Sequence, residues 1–354
     1  MLSVSIPDAA RRVLLGIRRG RDRVVDVLLL AYLFTEADLT AVVMPVLVMS
    51  FVLSEWTDIS AFLVGLLWMF SHLVGFEIGN QIVGQDEDKL SKPRRPIPSG
   101  RITTERARTL YYGVLAFSVL LSWRVDLLRL SIIYFTGVIA YNEGRCARWW
   151  WSKSIMGACG YFIYTWGLLT CMAHGNPPSK SATQALLTTG LIFATTGQAQ
   201  DFRDREGDAA IGRKTLPIVL PQGLARWSLA VLLFAWTAGL TYLWHPPLLM
   251  SALVYAMAGA AAVGFTSDYS EKADRRSYWW YNVSGPVEYL LIPDVTANND
   301  TFKRYAHRRS VATTIDGLAN AQRHASARLF AYHKGIASCQ RLSRACHVLS
   351  NVWA

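Results

Sequence analysis

The sequence predicts an all-α, polytopic membrane bundle of about nine transmembrane helices. Three observations point there. Apolar residues make up 52% of the 354 and charged ones only 17%, with a mean hydropathy of +0.22, whereas a soluble domain carries about 25% charge. Nine apolar runs follow one another along the chain, each long enough to cross hydrocarbon as a helix with some help from its flanks. Lys and Arg gather in alternate connections between those runs, as the positive-inside bias requires. This composition excludes a disordered chain and a disulfide-stapled secreted scaffold. It also excludes a soluble nucleic-acid binder as the source of the net charge of +11, so no nucleic-acid partner is expected.

The elements follow in order. Residues 1–39 read as a basic arm, with Arg11, Arg12, Arg18, Arg19, Arg21 and Arg23, leading into an apolar stretch from Val24 to Phe34. Asp26, Glu36 and Asp38 in and after that stretch suit an interfacial helix better than a cleaved signal peptide. Residues 40–292 hold the nine runs: Thr40–Leu53, Ile59–Gly79, Leu110–Trp123, Leu127–Tyr141, Ile155–Ala173, Ala185–Gly197, Leu224–Trp244, Leu248–Phe265 and Tyr278–Ile292. Residues 293–354 form a basic tail with no apolar period, read as weakly ordered. The five cysteines, Cys146, Cys159, Cys171, Cys339 and Cys346, show no metal spacing and are read as small apolar residues.

With the basic arm in the cytoplasm, the connections after the second, fourth, sixth and eighth runs are cytoplasmic too. Lys89, Lys92, Arg94, Arg95, Arg101, Arg106 and Arg108 all lie in the first of these. The tail then falls on the lumenal side, where Asn299-Asp300-Thr301 forms a glycosylation sequon. The Trp149-Trp150-Trp151 run beside Arg148 and Lys153 reads as an interfacial belt.

Two cytoplasmic connections carry the chemistry. The first runs from Glu77 through Asn80, Gln81, Gly84, Asp86, Glu87, Asp88, Lys89, Lys92, Arg94 and Arg95 to Gly100. On one continuous helix, Asn80, Gly84, Glu87 and Asp88 share an arc of about 100°. Pro93, Pro96 and Pro98 then end that helix. In the second connection, Asp201, Asp204 and Asp208 stand at i, i+3 and i+7, within about 60° of one another on a helix, so their charges repel unless something compensates them. Salt bridges to nearby arginines are one answer. A divalent cation is the other, since hard carboxylate oxygens without His or Cys suit Mg²⁺ bridged to a diphosphate. Lys and Arg alongside hold the phosphate oxygens. The aromatic-rich bundle beneath then takes the hydrocarbon of an organic diphosphate.

At these residues the sequence resembles the UbiA superfamily of intramembrane prenyltransferases, over roughly residues 34–292. In the first motif Asn80, Asp88, Arg95-Pro96 and Gly100 match the family's pattern, while Gln81 and Gly84 replace two of its aspartates; Glu87 is the better-placed substitute, ahead of Asp86. In the second, Asp201, Asp204 and Asp208 fit unchanged, with Arg213 to Pro217 following. The altered first motif resembles a fungal branch containing membrane terpene cyclases. The resemblance implies Mg²⁺ held by Asn80, Glu87, Asp88, Asp201, Asp204 and Asp208, with Asp88, Asp201 and Asp204 central to catalysis. Lys92, Arg95, Arg205 and Lys214 are the implied phosphate partners. An endoplasmic reticulum location follows for a fungal member.

Three activities are then open: a terpene cyclase acting on a farnesyl or geranylgeranyl diphosphate alone, a prenyltransferase that needs an aromatic or other acceptor, and a transporter or receptor without chemistry. Aromatic faces that stabilise a carbocation are sought among Trp68, Phe70, Phe76, Tyr134, Tyr161, Tyr164, Trp166, Trp279, Trp280 and Tyr281, most of them expected to be anchors or packing. His72 and Glu77 are noted as polar groups on the second run, and Asn142, Asn282 and Glu288 as polar groups at or near membrane depth.

Overall fold

The computed structural model describes residues 25–54 and 58–289. The basic tail, its sequon and the first part of the N-terminal arm lie outside them. Among the described residues the secondary structure is helical, apart from an isolated bridge between Trp149 and Lys214. The elements are α1 (Val25–Thr35), α2 (Leu39–Leu53), α3 (Ile59–Val83), α4 (Gln85–Ser91), α5 (Thr104–Arg124), α6 (Leu128–Asn142), α7 (Trp150–Met172), α8 (Lys180–Thr196), α9 (Ala199–Arg203), α10 (Arg205–Ala210), α11 (Leu216–Val219), α12 (Gln222–Trp244), α13 (Leu248–Ser267) and α14 (Glu271–Tyr289).

The long helices begin where capping chemistry allows. Asp58 accepts from the Ser60 amide at 2.7 Å to open α3, and Ser179 accepts from the Ala182 amide at 3.2 Å to open α8. Pro221 and Pro247 precede α12 and α13, where the missing N–H is no loss. Each of the nine apolar runs has its described residues largely within a helix. Four helices, α3, α7, α12 and α13, are long and apolar enough by themselves to cross a membrane; α1 and α2, bent by 72° at their junction, make a fifth if taken as one span. The remaining runs lie in shorter or less apolar helices.

Sequence neighbours pack as antiparallel pairs, and α14 returns to pack on α2 and α9 as well as α13, closing the bundle. One apolar cluster fills the space among α2, α3, α6, α7 and α8, and a second joins α9, α12, α13 and α14. Gly65 and Gly167 let α3 and α7 come together. A Cβ at Gly65 would lie 2.7 Å from Leu168 Cδ1, and one at Gly167 would collide with the Trp68 ring. Leu63, Leu67, Ile132, Ile133, Leu191 and Val231, by contrast, point their apolar side chains outward, as lipid-facing helices do.

Inside the first cluster runs a buried polar chain. Trp68 Nε1 donates to Ser122 Oγ at 2.7 Å, Ser122 meets Ser131, and Ser131 Oγ lies 2.6 Å from His72 Nε2. His72 Nδ1 faces the Trp68 carbonyl at 2.7 Å. A carbonyl only accepts, so Nδ1 carries a proton. Tyr134 donates to the His72 carbonyl at 3.1 Å and meets the Tyr164 hydroxyl at 2.5 Å. His72 thus ties α3 to α6.

Candidate active site

The two carboxylate regions meet at one end of the bundle, but not as continuous helices. The first helix breaks at Gly84 (φ −92°, ψ 21°), which ends α3 and begins α4. The second breaks at Asp204 (φ −102°, ψ 7°), between α9 and α10. The single arcs read from the sequence therefore do not form. Each aspartate takes its direction from a short turn and from the cation it meets.

Asp88, 2% exposed, accepts two hydrogen bonds from Arg95 Nη1, at 3.0 and 3.2 Å, and Arg95 Nη2 lies 3.5 Å from Glu77 Oε2. Burial disfavours the Arg95 charge, but Glu77 and Asp88 outweigh it and hold its pKa above the ordinary value. Glu87 turns across to the other region, where its Oε2 lies 2.8 Å from Arg213 Nη2. Burial raises its pKa, while Arg213 and Lys92 draw it back. Asp86 stays in solvent, paired with Lys89 at 3.1 Å. Asn80 and Lys92 are half-buried.

In the second region Asp201 and Asp208 are both buried and share Lys153, whose Nζ lies 2.5 Å from Asp201 Oδ1 and 3.7 Å from Asp208 Oδ2. Burial pushes the Asp201 carboxyl up, opposed by Lys153. Asp208 Oδ1 also accepts from Arg213 Nη1 at 2.9 Å. Asp204 pairs with Arg203 Nε at 3.5 Å; burial works against its charge, yet Arg203, Lys92 and Lys153 hold its pKa below the usual value. Arg213 reaches both regions because Gly212, at φ +71°, turns the chain back after α10. Lys153 is positioned by the bridge at the start of α7, where the Lys214 amide donates to the Arg148 carbonyl at 2.9 Å and the Trp150 amide to that of Lys214 at 3.2 Å.

The structure thus links Glu87, Arg213, Asp208, Lys153 and Asp201 in one set, and Asp88, Arg95 and Glu77 in another. Two of the expected phosphate partners are engaged elsewhere. Arg205 donates to Gln222 Oε1 at 2.9 Å and to the Tyr269 carbonyl at 3.2 Å, with Asp274 at 3.7 Å. Lys214 sets its ammonium over the Trp149 ring, 5.0 Å from the centroid. Sequence reasoning missed Lys153 as a partner of the aspartates. A lone Lys in the first turn of an otherwise apolar helix was the available signal. Of the aromatic candidates, Trp68, Tyr134, Tyr161 and Tyr164 are buried, whereas Trp279 and Trp280 face outward.

Asp201 Oδ2 and Asp208 Oδ2 are buried and have no hydrogen-bond partner, and neither amide atom of the fully buried Gln81 has one. Buried polar atoms left so are costly unless a ligand completes them. Among the described residues no three His, Cys, Asp or Glu side chains converge as a metal cage, because each carboxylate has turned to a lysine or arginine.

The UbiA prenyltransferase family pattern matches residues 42–283. This chain belongs to that family. As a UbiA member it is an integral membrane enzyme. It is 41% identical over 254 residues to the fumagillin beta-trans-bergamotene synthase af520 of Aspergillus fumigatus, covering 71% of this chain and 86% of that protein. It is 33% identical over 162 residues to the polyprenyl transferase eriF of Hericium erinaceus, covering 43% of this chain and 52% of that one. The fold is also that of a UbiA homolog from Archaeoglobus fulgidus solved with DMAPP and Mg²⁺, at a TM-score of 0.53 and 15% identity, covering 74% of this chain and 98% of the other.

Proposed function

We propose that this UbiA member is a Mg²⁺-dependent terpene cyclase. It ionises an isoprenyl diphosphate of the farnesyl or geranylgeranyl class and closes the resulting cation on itself, releasing a cyclic terpene and diphosphate. The observation that carries the reading is the likeness to the bergamotene synthase over 86% of that protein's length. The site fits the chemistry: a cationic and carboxylate mouth at one end, and a buried aromatic interior containing Trp68, Tyr134, Tyr161 and Tyr164.

Asp201, Asp204 and Asp208, with Asn80, Glu87 and Asp88, would hold the divalent ion. The uncompleted oxygens of Asp201 and Asp208 and the absence of sulfur and imidazole from this set suit a hard cation. A bound ion supplies Lewis-acid stabilisation to the departing diphosphate oxygens. Arg95 and Lys92 orient the diphosphate through charge-assisted hydrogen bonds. Arg213, tied to both regions, keeps them in register. The apolar interior excludes water, and its aromatic faces stabilise the cation by roughly 0.5–2 kcal/mol each. Nine spans, with both carboxylate regions on the cytoplasmic side of the endoplasmic reticulum, complete the reading.

The test is incubation of membranes bearing the protein with Mg²⁺ and, separately, geranyl, farnesyl and geranylgeranyl diphosphates, with no acceptor, followed by gas chromatography and mass spectrometry. A cyclic terpene that disappears with EDTA is the expected result. Diphosphate release that appears only on adding an acceptor would make the protein a prenyltransferase instead, the activity named for the Hericium erinaceus relative.

A further inference from the structure

Lys153 stands in the first turn of α7, where its amide donates to the carbonyl of Trp149, the residue bridged to Lys214. Its side chain and those of Asp201 and Asp208 are almost wholly buried. The ammonium donates to Asp201 Oδ1 at 2.5 Å, but Asp208 Oδ2, at 3.7 Å, is beyond hydrogen-bond reach. An ammonium has three donors, and among the described residues this one uses a single donor. Beside it, Asp201 Oδ2 and Asp208 Oδ2 are buried acceptors without a hydrogen bond. Unused donors and unused acceptors thus lie together inside the protein without satisfying one another, a state that folded proteins rarely leave uncorrected. Such a set fits a ligand in two parts: a cation for the carboxylate oxygens and an anion for the ammonium.

The remaining charges identify which cation can move. Arg213 spans Asp208 Oδ1 at 2.9 Å and Glu87 Oε2 at 2.8 Å with separate nitrogens of one planar group, a geometry that holds both acids at once. Lys153 makes its one hydrogen bond from the end of a flexible stem, so its head can turn without breaking a fork or shifting α7. Glu87, Asp201 and Asp208 outnumber the cations Lys153 and Arg213 in this set, so the set opposes a bare diphosphate. A divalent ion arriving alone would displace the ammonium and leave it buried without its partner, which is costly. We propose that Lys153 is a tethered counter-ion: it holds Asp201 until a divalent ion and a diphosphate arrive together, then yields the carboxylate and donates to the diphosphate oxygens. This rests on the reading of the site as one for a divalent ion and a diphosphate. It goes further in assigning Lys153 a role on both and in making the two ligands interdependent.

The experiment uses the detergent-solubilised full chain and two titrations: Mn²⁺ alone, followed by electron paramagnetic resonance of the free ion, and radiolabelled inorganic diphosphate in excess Mn²⁺, followed by equilibrium dialysis. Wild type is compared with Lys153→Met and with Lys153→Gln, whose amide can still donate to Asp201 and so guards against loss of the fold. Expected are opposite shifts in both variants: Mn²⁺ alone binds at least about tenfold more tightly, and diphosphate in excess Mn²⁺ at least about tenfold more weakly. Any other pattern overturns the assignment. Weakening of both marks a structural lysine, weakening of diphosphate alone marks a phosphate ligand that never guards the carboxylates, and tightening of Mn²⁺ alone marks a counter-ion that never reaches the diphosphate. Wild type by itself also tests the interdependence, since diphosphate should bind at least about tenfold more weakly when Mn²⁺ is replaced by EDTA; equal affinity overturns the proposal. If wild type binds no diphosphate at any Mn²⁺ concentration, the reading of the site as one for an ion and a diphosphate fails, and the role of Lys153 with it. If wild type binds both and the variants match it, only the role of Lys153 falls.

Discussion

Two buried ion clusters in this bundle look alike in composition and differ in completion. Arg226 and Asp274 are both fully buried and joined twice, at 2.6 and 2.9 Å. Arg226 also donates to the Phe265 carbonyl at 2.8 Å and to Gln222 at 3.3 Å, with its guanidinium over the rings of Phe202 and Tyr269. Both Asp274 oxygens are used. In the Lys153–Asp201–Asp208 cluster one oxygen of each aspartate has no hydrogen bond. A closed cluster contributes to fixing α12 against α13 and α14; an open one holds the capacity for a ligand. The difference teaches that charge burial alone does not mark a site, whereas buried carboxylate oxygens left without a hydrogen bond beside a shared cation leave room for a ligand.

The comparison breaks if the closed cluster proves catalytic or the open one merely structural. The largest effect expected is on Arg226→Ala, which leaves Asp274 buried with its main partner gone. Stability should fall by about 3–5 kcal/mol, read as a lowered melting temperature of the detergent-solubilised protein. Asp201→Asn should do the opposite, leaving the melting temperature within a few degrees but lowering turnover about 100-fold or more, because it removes charge stabilisation from the departing diphosphate. Unchanged turnover would sink the metal-site assignment.

A smaller effect sharpens the picture of the interior. Trp68→Phe removes the hydrogen bond to Ser122 and should cost about 1–3 kcal/mol in thermal unfolding, the penalty for leaving a buried hydroxyl with one partner fewer. The smallest belongs to Asp86→Ala. Its pair with Lys89 is solvent-exposed, so both stability and turnover should stay within about 0.5 kcal/mol of wild type, in contrast to Glu87→Ala one position on, which frees Arg213 from the first region.

The helices were legible because an apolar run is a property of contiguous residues, and the same holds for the end of α4 before Pro93. Which residues share a face was not. The arc over Asn80, Glu87 and Asp88 assumed one helix, and Gly84 interrupts it; Asp204 does the same in the second region. The partners of the carboxylates were legible only in part. Arg95 and Arg213 stood within the motifs, but Lys153 lies 48 positions from Asp201, beside a tryptophan run that pointed to the membrane interface. Arg226 and Asp274 meet across the same separation. Such pairings depend on how helices dock, which no local pattern encodes.

The close fit of α3 on α7 at Gly65 and Gly167 acts mechanically as well. Trp68, wedged against Gly167, and Gln81 at the mouth sit on the same helix, about 20 Å apart at the α-helical rise. The helix is a rod gripped in its first half, at Gly65 and Trp68, and bearing its working groups toward its far end. A small tilt at the grip becomes a larger displacement at the mouth, so one added methyl at Gly167 should disturb the alignment of Glu77 with Arg95 from deep inside the bundle. Position 167 is thus a control point for a reaction it never touches.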